Sequence, residues 1–212
     1  MLAFLIGFAI LIYSVILHEI AHGWVADRLG DPTARMRGRL TLNPIPHIDP
    51  LMSILLPLLL IFSGSPIVFG AAKPVPIDPY NFREGRKDMG LVGLAGPATN
   101  LLLAVAAALI FKIIIFIPAL NVLSFLLPIL NLAIFYNFAL AALNLIPIPP
   151  LDGSRILAAI VPKEAVRILD SLEPFGLFIL FFLLIFPIGG FSLGKLIFGL
   201  VSLWMRLLGL PI

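Results

Sequence analysis

The chain has 212 residues, 61% of them hydrophobic and 12% charged, with a net charge of +3. Soluble domains carry about twice that share of charge, so a soluble globular protein is excluded; the modest basicity reads as membrane topology rather than nucleic-acid binding. Cysteine is absent, which rules out disulfides and thiolate sites and leaves His, Asp and Glu to ligate any metal.

The first apolar run, residues 1–27, has no positive start and no small-residue cleavage site, so it is expected to be a retained transmembrane helix. Near its end stands His18-Glu19-Ile20-Ala21-His22, an H-E-x-x-H pattern. Residues four apart on a helix share a face, so both imidazoles can reach one ion. Glu19 lies beside them, placed to act as general base to a water.

A polar loop follows with Arg28, Arg35, Arg37 and Arg39, closing in the Pro-rich stretch 43–50 that holds His47. Residues 51–72 are apolar but broken by Pro57, Gly64, Ser65 and Pro66, where a clean span needs about 20 uninterrupted residues. A re-entrant or β-hairpin-like membrane segment is expected near 51–76, and 67–70 has β-like composition. By strand addition, 67–76 could pair with an extended substrate.

A second polar loop, 73–88, carries Lys73, Arg83, Arg86 and Lys87. Spans are expected at 89–118, containing Gly96-Pro97-Ala98-Thr99-Asn100, and at 125–146. The latter runs through Asn144 into a Pro-rich stretch ending at Asp152-Gly153. A third charged loop, 155–173, and two apolar helices within 174–211 complete the chain. The expected fold is an all-α polytopic membrane protein with about five to six transmembrane helices. It forms a single domain over 1–212, with a catalytic core over 1–160 and C-terminal helices at 174–211.

The positive-inside rule puts the loops 28–50, 73–88 and 155–173 on the cytoplasmic side. The 119–124 connection has no charge, which suits the opposite face. His18, His22 and Asp152 then lie at similar depth near the cytoplasmic face of the cell membrane.

A catalytic zinc takes three protein ligands and a water. Asp152 is the best third candidate: it is nearly alone in an apolar context, where an acid is functional by default. Three prolines, Pro147, Pro149 and Pro150, break the helix just before it, and unwound backbone at membrane depth is tolerated only when buried or lining a wet cavity. His47 is the one other histidine and a possible accessory residue. Asn100 and Asn144 read either as substrate or oxyanion contacts or as interhelical hydrogen-bonding residues.

A metal transporter would need a polar path, yet Lys112 is the main stray charge elsewhere in the spans. A scaffold would not need Glu19. A prenyl-type zinc protease would use a glutamate, and Glu84, Glu164 and Glu173 have no apolar helical setting.

These motifs resemble the site-2 proteases, the intramembrane zinc metalloproteases. H-E-x-x-H at His18 to His22 is similar to the first family signature. Asn144-x-x-Pro147-x-Pro149-x-Leu151-Asp152-Gly153 is similar to the second, and Gly96-Pro97-x-x-Asn100 to the element between them. The runs at 43–50 and 69–75 resemble a compact subgroup without a PDZ domain. The resemblance implies one zinc on His18, His22 and Asp152, cleavage of transmembrane protein substrates in the lipid bilayer, and an active site nearer the cytoplasmic face. It leaves the oligomeric state open.

Overall fold

The computed structural model describes residues 2–55, 58–59, 62, 72–190 and 192–210; its regular structure is helical, with no strand among them. Helix α1 is Leu2–Leu29, mostly apolar up to the H-E-x-x-H motif. It stops where Gly30 takes φ +116°, a left-handed conformation that favours glycine. Gly30 N–H donates to the Asp27 carbonyl (3.3 Å) and Asp31 N–H to the Ala26 carbonyl (2.9 Å), closing a Schellman cap that Pro32 follows. Arg28 in the last turn complements the helix dipole.

The short helix α2 is Thr33–Met36. A 3₁₀ turn at Ile45–His47 and a π-helical turn at Pro50–Leu55 follow. Most of the expected re-entrant stretch, including 67–70, lies outside the described residues. Residues 72–78 are irregular.

Helix α3, Arg86–Phe116, is the axis of the molecule and packs against α1, α4 (Leu127–Asn144) and α5 (Asp152–Ile160). Small residues permit this. A Cβ on Gly93 would press on Arg155 and Asp152, while Ala104 and Ala108 are buried against Ile134 and Phe138 of α4. Lipid tails are as apolar as the side chains, so close packing of small residues, not exclusion of water, drives such contacts. Outward-facing residues remain apolar, as at Leu102 and Phe116.

The charge-free connection forms a 3₁₀ helix, Pro118–Leu126, that continues into α4. After a turn at 145–151, Asp152 opens α5 directly; the charged stretch expected as a loop at 155–173 is instead α5 and α6 (Lys163–Leu172). Helices α7 (Gly176–Ile185) and α8 (Leu193–Leu207) end the chain. Among the described residues four stretches are long and apolar enough to cross a membrane: Leu5–Leu29, Arg86–Phe116, Pro118–Asn144 and Lys163–Ile185. The expected five to six counted 51–72 and α8, which at 15 residues is short of a span.

Candidate metal centre

Two ladders of four-residue spacing face each other. Ser14, His18 and His22 lie buried along α1; Val92, Gly96 and Asn100 lie buried along α3. Asp152 reaches them from the first turn of α5, where the dipole favours a carboxylate.

Three atoms converge. His18 Nε2 and His22 Nε2 are 3.0 Å apart, and they lie 3.0 and 3.2 Å from Asp152 Oδ2. Ligands at about 2.0–2.1 Å from a tetrahedral zinc stand roughly 3.3 Å apart, so the triangle matches a zinc face closely. Asp152 Oδ1 is 4.0 Å from Arg155 Nη1.

The other imidazole nitrogens are engaged. His22 Nδ1–H donates to the Val92 carbonyl at 2.6 Å, and His18 Nδ1–H to Asn100 Oδ1 at 2.6 Å. A carbonyl only accepts, so His22 carries a proton on Nδ1, and in the neutral ring its Nε2 presents a lone pair. Buried Asp152 Oδ2 has no hydrogen-bond donor. Two lone pairs and a carboxylate oxygen facing one another in an apolar interior are costly without a cation. With one they form a ligand set supported behind each ring. His18, His22 and Asp152 are, among the described residues, a group able to hold a metal ion. Gly96 makes the room: a Cβ there would stand 2.5 Å from His18 Nε2 and His22 Nε2.

Glu19 is half-buried, and its Oε2 accepts the Val75 N–H at 2.8 Å. Segment 72–78 is tied down around it. Buried Arg39 donates to the Lys73 and Pro74 carbonyls at 2.7 and 3.3 Å, and Lys73 N–H donates to the His47 carbonyl at 2.8 Å. Burial pushes the Arg39 guanidinium below its ordinary value, opposed by the Glu19 carboxylate. Asp31 anchors the far end of the segment by accepting the Asp78 N–H at 2.7 Å. Burial pushes its carboxyl up, but hydrogen bonds from Thr33, Asp78 and Asn81 outweigh this and hold it below the usual carboxylate range.

The remaining sequence candidates fall elsewhere. Asn100 is fully buried, with its carbonyl taken by His18 and its amide by Asn137 and Ser14. Asn144 donates to Leu140 O of its own helix at 3.0 Å. His47 bonds the Thr41 carbonyl through Nε2 at 3.0 Å and stands apart from the metal group. The strand-addition idea also changes. Pro74 and Pro76 have no N–H, and those of Lys73 and Val75 are used internally, so 73–76 offers a substrate strand no donor; 67–71 lies outside the described residues.

Sequence reasoning gave no part to Ser14, Asn137 or the Val92 carbonyl, and named Gly96 only within the Gly96-Pro97-x-x-Asn100 element. Ser14 stands four residues before His18, a polar continuation of the ligand face, and Asn137 is a polar residue within an apolar span. Those two signals were legible; a backbone carbonyl carries none.

The model of peptidase family M50 matches residues 112–187. The chain is 35% identical over 189 residues to YwhC of Bacillus subtilis, named as a zinc metalloprotease, across 86% of this chain and 81% of that one. Rip2 of Mycolicibacterium smegmatis, named likewise, is 34% identical over 186 residues, across 82% of this chain and 64% of its own length. MJ0611 of Methanocaldococcus jannaschii, also so named, is 36% identical over 93 residues, 43% of this chain and 46% of that one. No solved structure matches the chain. Similarity to YwhC along most of both chains, joined to the His18–His22–Asp152 cluster, establishes that the chain belongs to peptidase family M50, the site-2 proteases, and is a membrane zinc metalloendopeptidase.

Proposed function

We propose that the enzyme hydrolyses peptide bonds in or near transmembrane segments of other membrane proteins. His18, His22 and Asp152 hold one zinc per chain, and Glu19 is the general base. The observation that carries this reading is a buried ligand triangle built on helices long and apolar enough to span a bilayer. The reacting bond then has to be delivered within the membrane domain.

A zinc held by His18, His22 and Asp152 would supply the lowered pKa of a water and the polarisation of the scissile carbonyl. The Glu19 carboxylate takes the proton of the attacking water and gives it to the leaving amine. The Val75 N–H fixes the Glu19 rotamer, and Asn100 and the Val92 carbonyl fix the rings. A substrate helix satisfies its backbone internally, so it unwinds locally before it is cut.

The chain forms a single multi-pass domain in the cell membrane, with the metal near the cytoplasmic face. Arg and Lys in the connections beside α1 and α5, and the uncharged 118–126 turn opposite, support that orientation. The test is to incubate the purified enzyme in detergent with a single-span membrane protein and map the new termini by mass spectrometry. Cuts inside or at the edge of the apolar span are expected. Cuts confined to distant soluble regions would refute the reading.

A further inference from the structure

Behind His18 runs a chain of buried amides that links three helices. Asn100 of α3 accepts His18 Nδ1–H at Oδ1 (2.6 Å) and donates through Nδ2 to Asn137 Oδ1 of α4 (2.9 Å) and to the Ser14 carbonyl of α1 (3.4 Å). Asn137 donates through Nδ2 to Ser14 Oγ and to the Ala133 carbonyl, both at 2.9 Å. Ser14, Asn100 and Asn137 are 4%, 0% and 3% exposed, so water does not compete for these bonds.

The direction of every bond is forced. The Ala133 carbonyl accepts only, so the nitrogen of the Asn137 amide points to it and the oxygen points to Asn100. Asn100 must then turn its nitrogen to Asn137 and its oxygen to His18. An oxygen at that position requires the His18 proton on Nδ1, which leaves Nε2 as a lone pair toward His22 and Asp152.

We propose that Asn137 and Ser14 are positioning residues of the metal centre: they set the tautomer and ring orientation of His18 by fixing the Asn100 amide, although neither touches the ligand triangle. The proposal rests on His18 being a zinc ligand. It also ties α4, which contributes no ligand, to metal affinity.

Zinc affinity of the full-length protein in detergent is the readout, with apo-protein thermal unfolding as a check on folding. Asn100→Leu should weaken zinc roughly 10- to 100-fold, and Asn137→Leu roughly tenfold. Adding Asn137→Leu to Asn100→Leu should weaken it no further, because Asn137 acts only through Asn100. The same-helix substitution Asn131→Leu should leave affinity unchanged. Unaltered affinity in Asn137→Leu, or losses that multiply in the double variant, would overturn the proposal. If Asn137→Leu does not fold, ¹⁵N-histidine NMR of the zinc-loaded wild type decides: a proton on His18 Nδ1 is expected, and one on Nε2 overturns the relay. His18→Ala separates the two levels. Zinc retained at wild-type affinity there refutes the ligand reading itself, whereas zinc lost there but kept in Asn137→Leu refutes the relay alone.

Discussion

Each imidazole of the cluster spends one nitrogen on a hydrogen bond and turns the other to the same point as Asp152 Oδ2. Gly96 keeps that point open. In Gly96→Ala the new methyl would stand 2.5 Å from both Nε2 atoms, against rings held from behind. Overpacking of this kind costs about 1–3 kcal/mol, so zinc affinity should fall by roughly 5- to 150-fold, read by competition with a chelator. Unchanged affinity would mean that the rings have more freedom than their hydrogen bonds imply. At this scale much of the centre was legible. His18, Glu19 and His22 fall within one five-residue motif, and Asp152 is a rare acid in apolar surroundings. The placement of Asn100 was not, because a buried amide in a span reads equally well as a substrate contact or as a support; only its partners decide.

Elements were legible where the membrane dictates them. Continuous apolar runs gave α1, α3 and α4 to within a few residues. The stretch 155–173 was misread as a loop because its charge was weighed above its period; Val166, Leu169 and Leu172 recur at helical spacing, as an interfacial helix requires. Tertiary knots between elements leave fainter traces. Asp31 is fully buried and accepts from Thr33, from Asp78 N–H at 2.7 Å and from Asn81 Nδ2 at 2.9 Å, joining the end of α1 to the segment that holds Glu19. Its folded pKa lies below the unfolded value of about 3.9. Its stabilisation is therefore present above that value and is lost as pH falls through the folded pKa. Asp31→Asn should lower thermal stability at pH 7 by about 1–3 kcal/mol, and its gap to wild type should narrow below about pH 4. A gap that stays constant from pH 7 to pH 3 would show that the carboxylate charge plays no part.

For the whole molecule, apolar outer faces and four candidate spans among the described residues surround a buried cluster able to hold a metal ion. The proposed topology is open to a direct check, since the sequence has no cysteine. Single cysteines replacing Arg37, Lys163 and Val122, all on exposed positions, can be labelled in intact cells with a membrane-impermeant maleimide. Val122→Cys should react from outside, and Arg37→Cys and Lys163→Cys only after permeabilisation. The reverse pattern would invert the orientation and place the metal nearer the outer face.

The proposed function has His18, His22 and Asp152 hold the zinc on which Glu19 acts. It is tested most directly by measuring zinc content and cleavage of a single-span membrane protein side by side in wild type, Glu19→Gln and Asp152→Ala. Wild type should hold about one zinc and cut. Glu19→Gln should hold the same zinc and lose at least about 10²-fold in rate, while Asp152→Ala should lose both. Full zinc in Asp152→Ala, or undiminished cleavage by Glu19→Gln, would contradict the account.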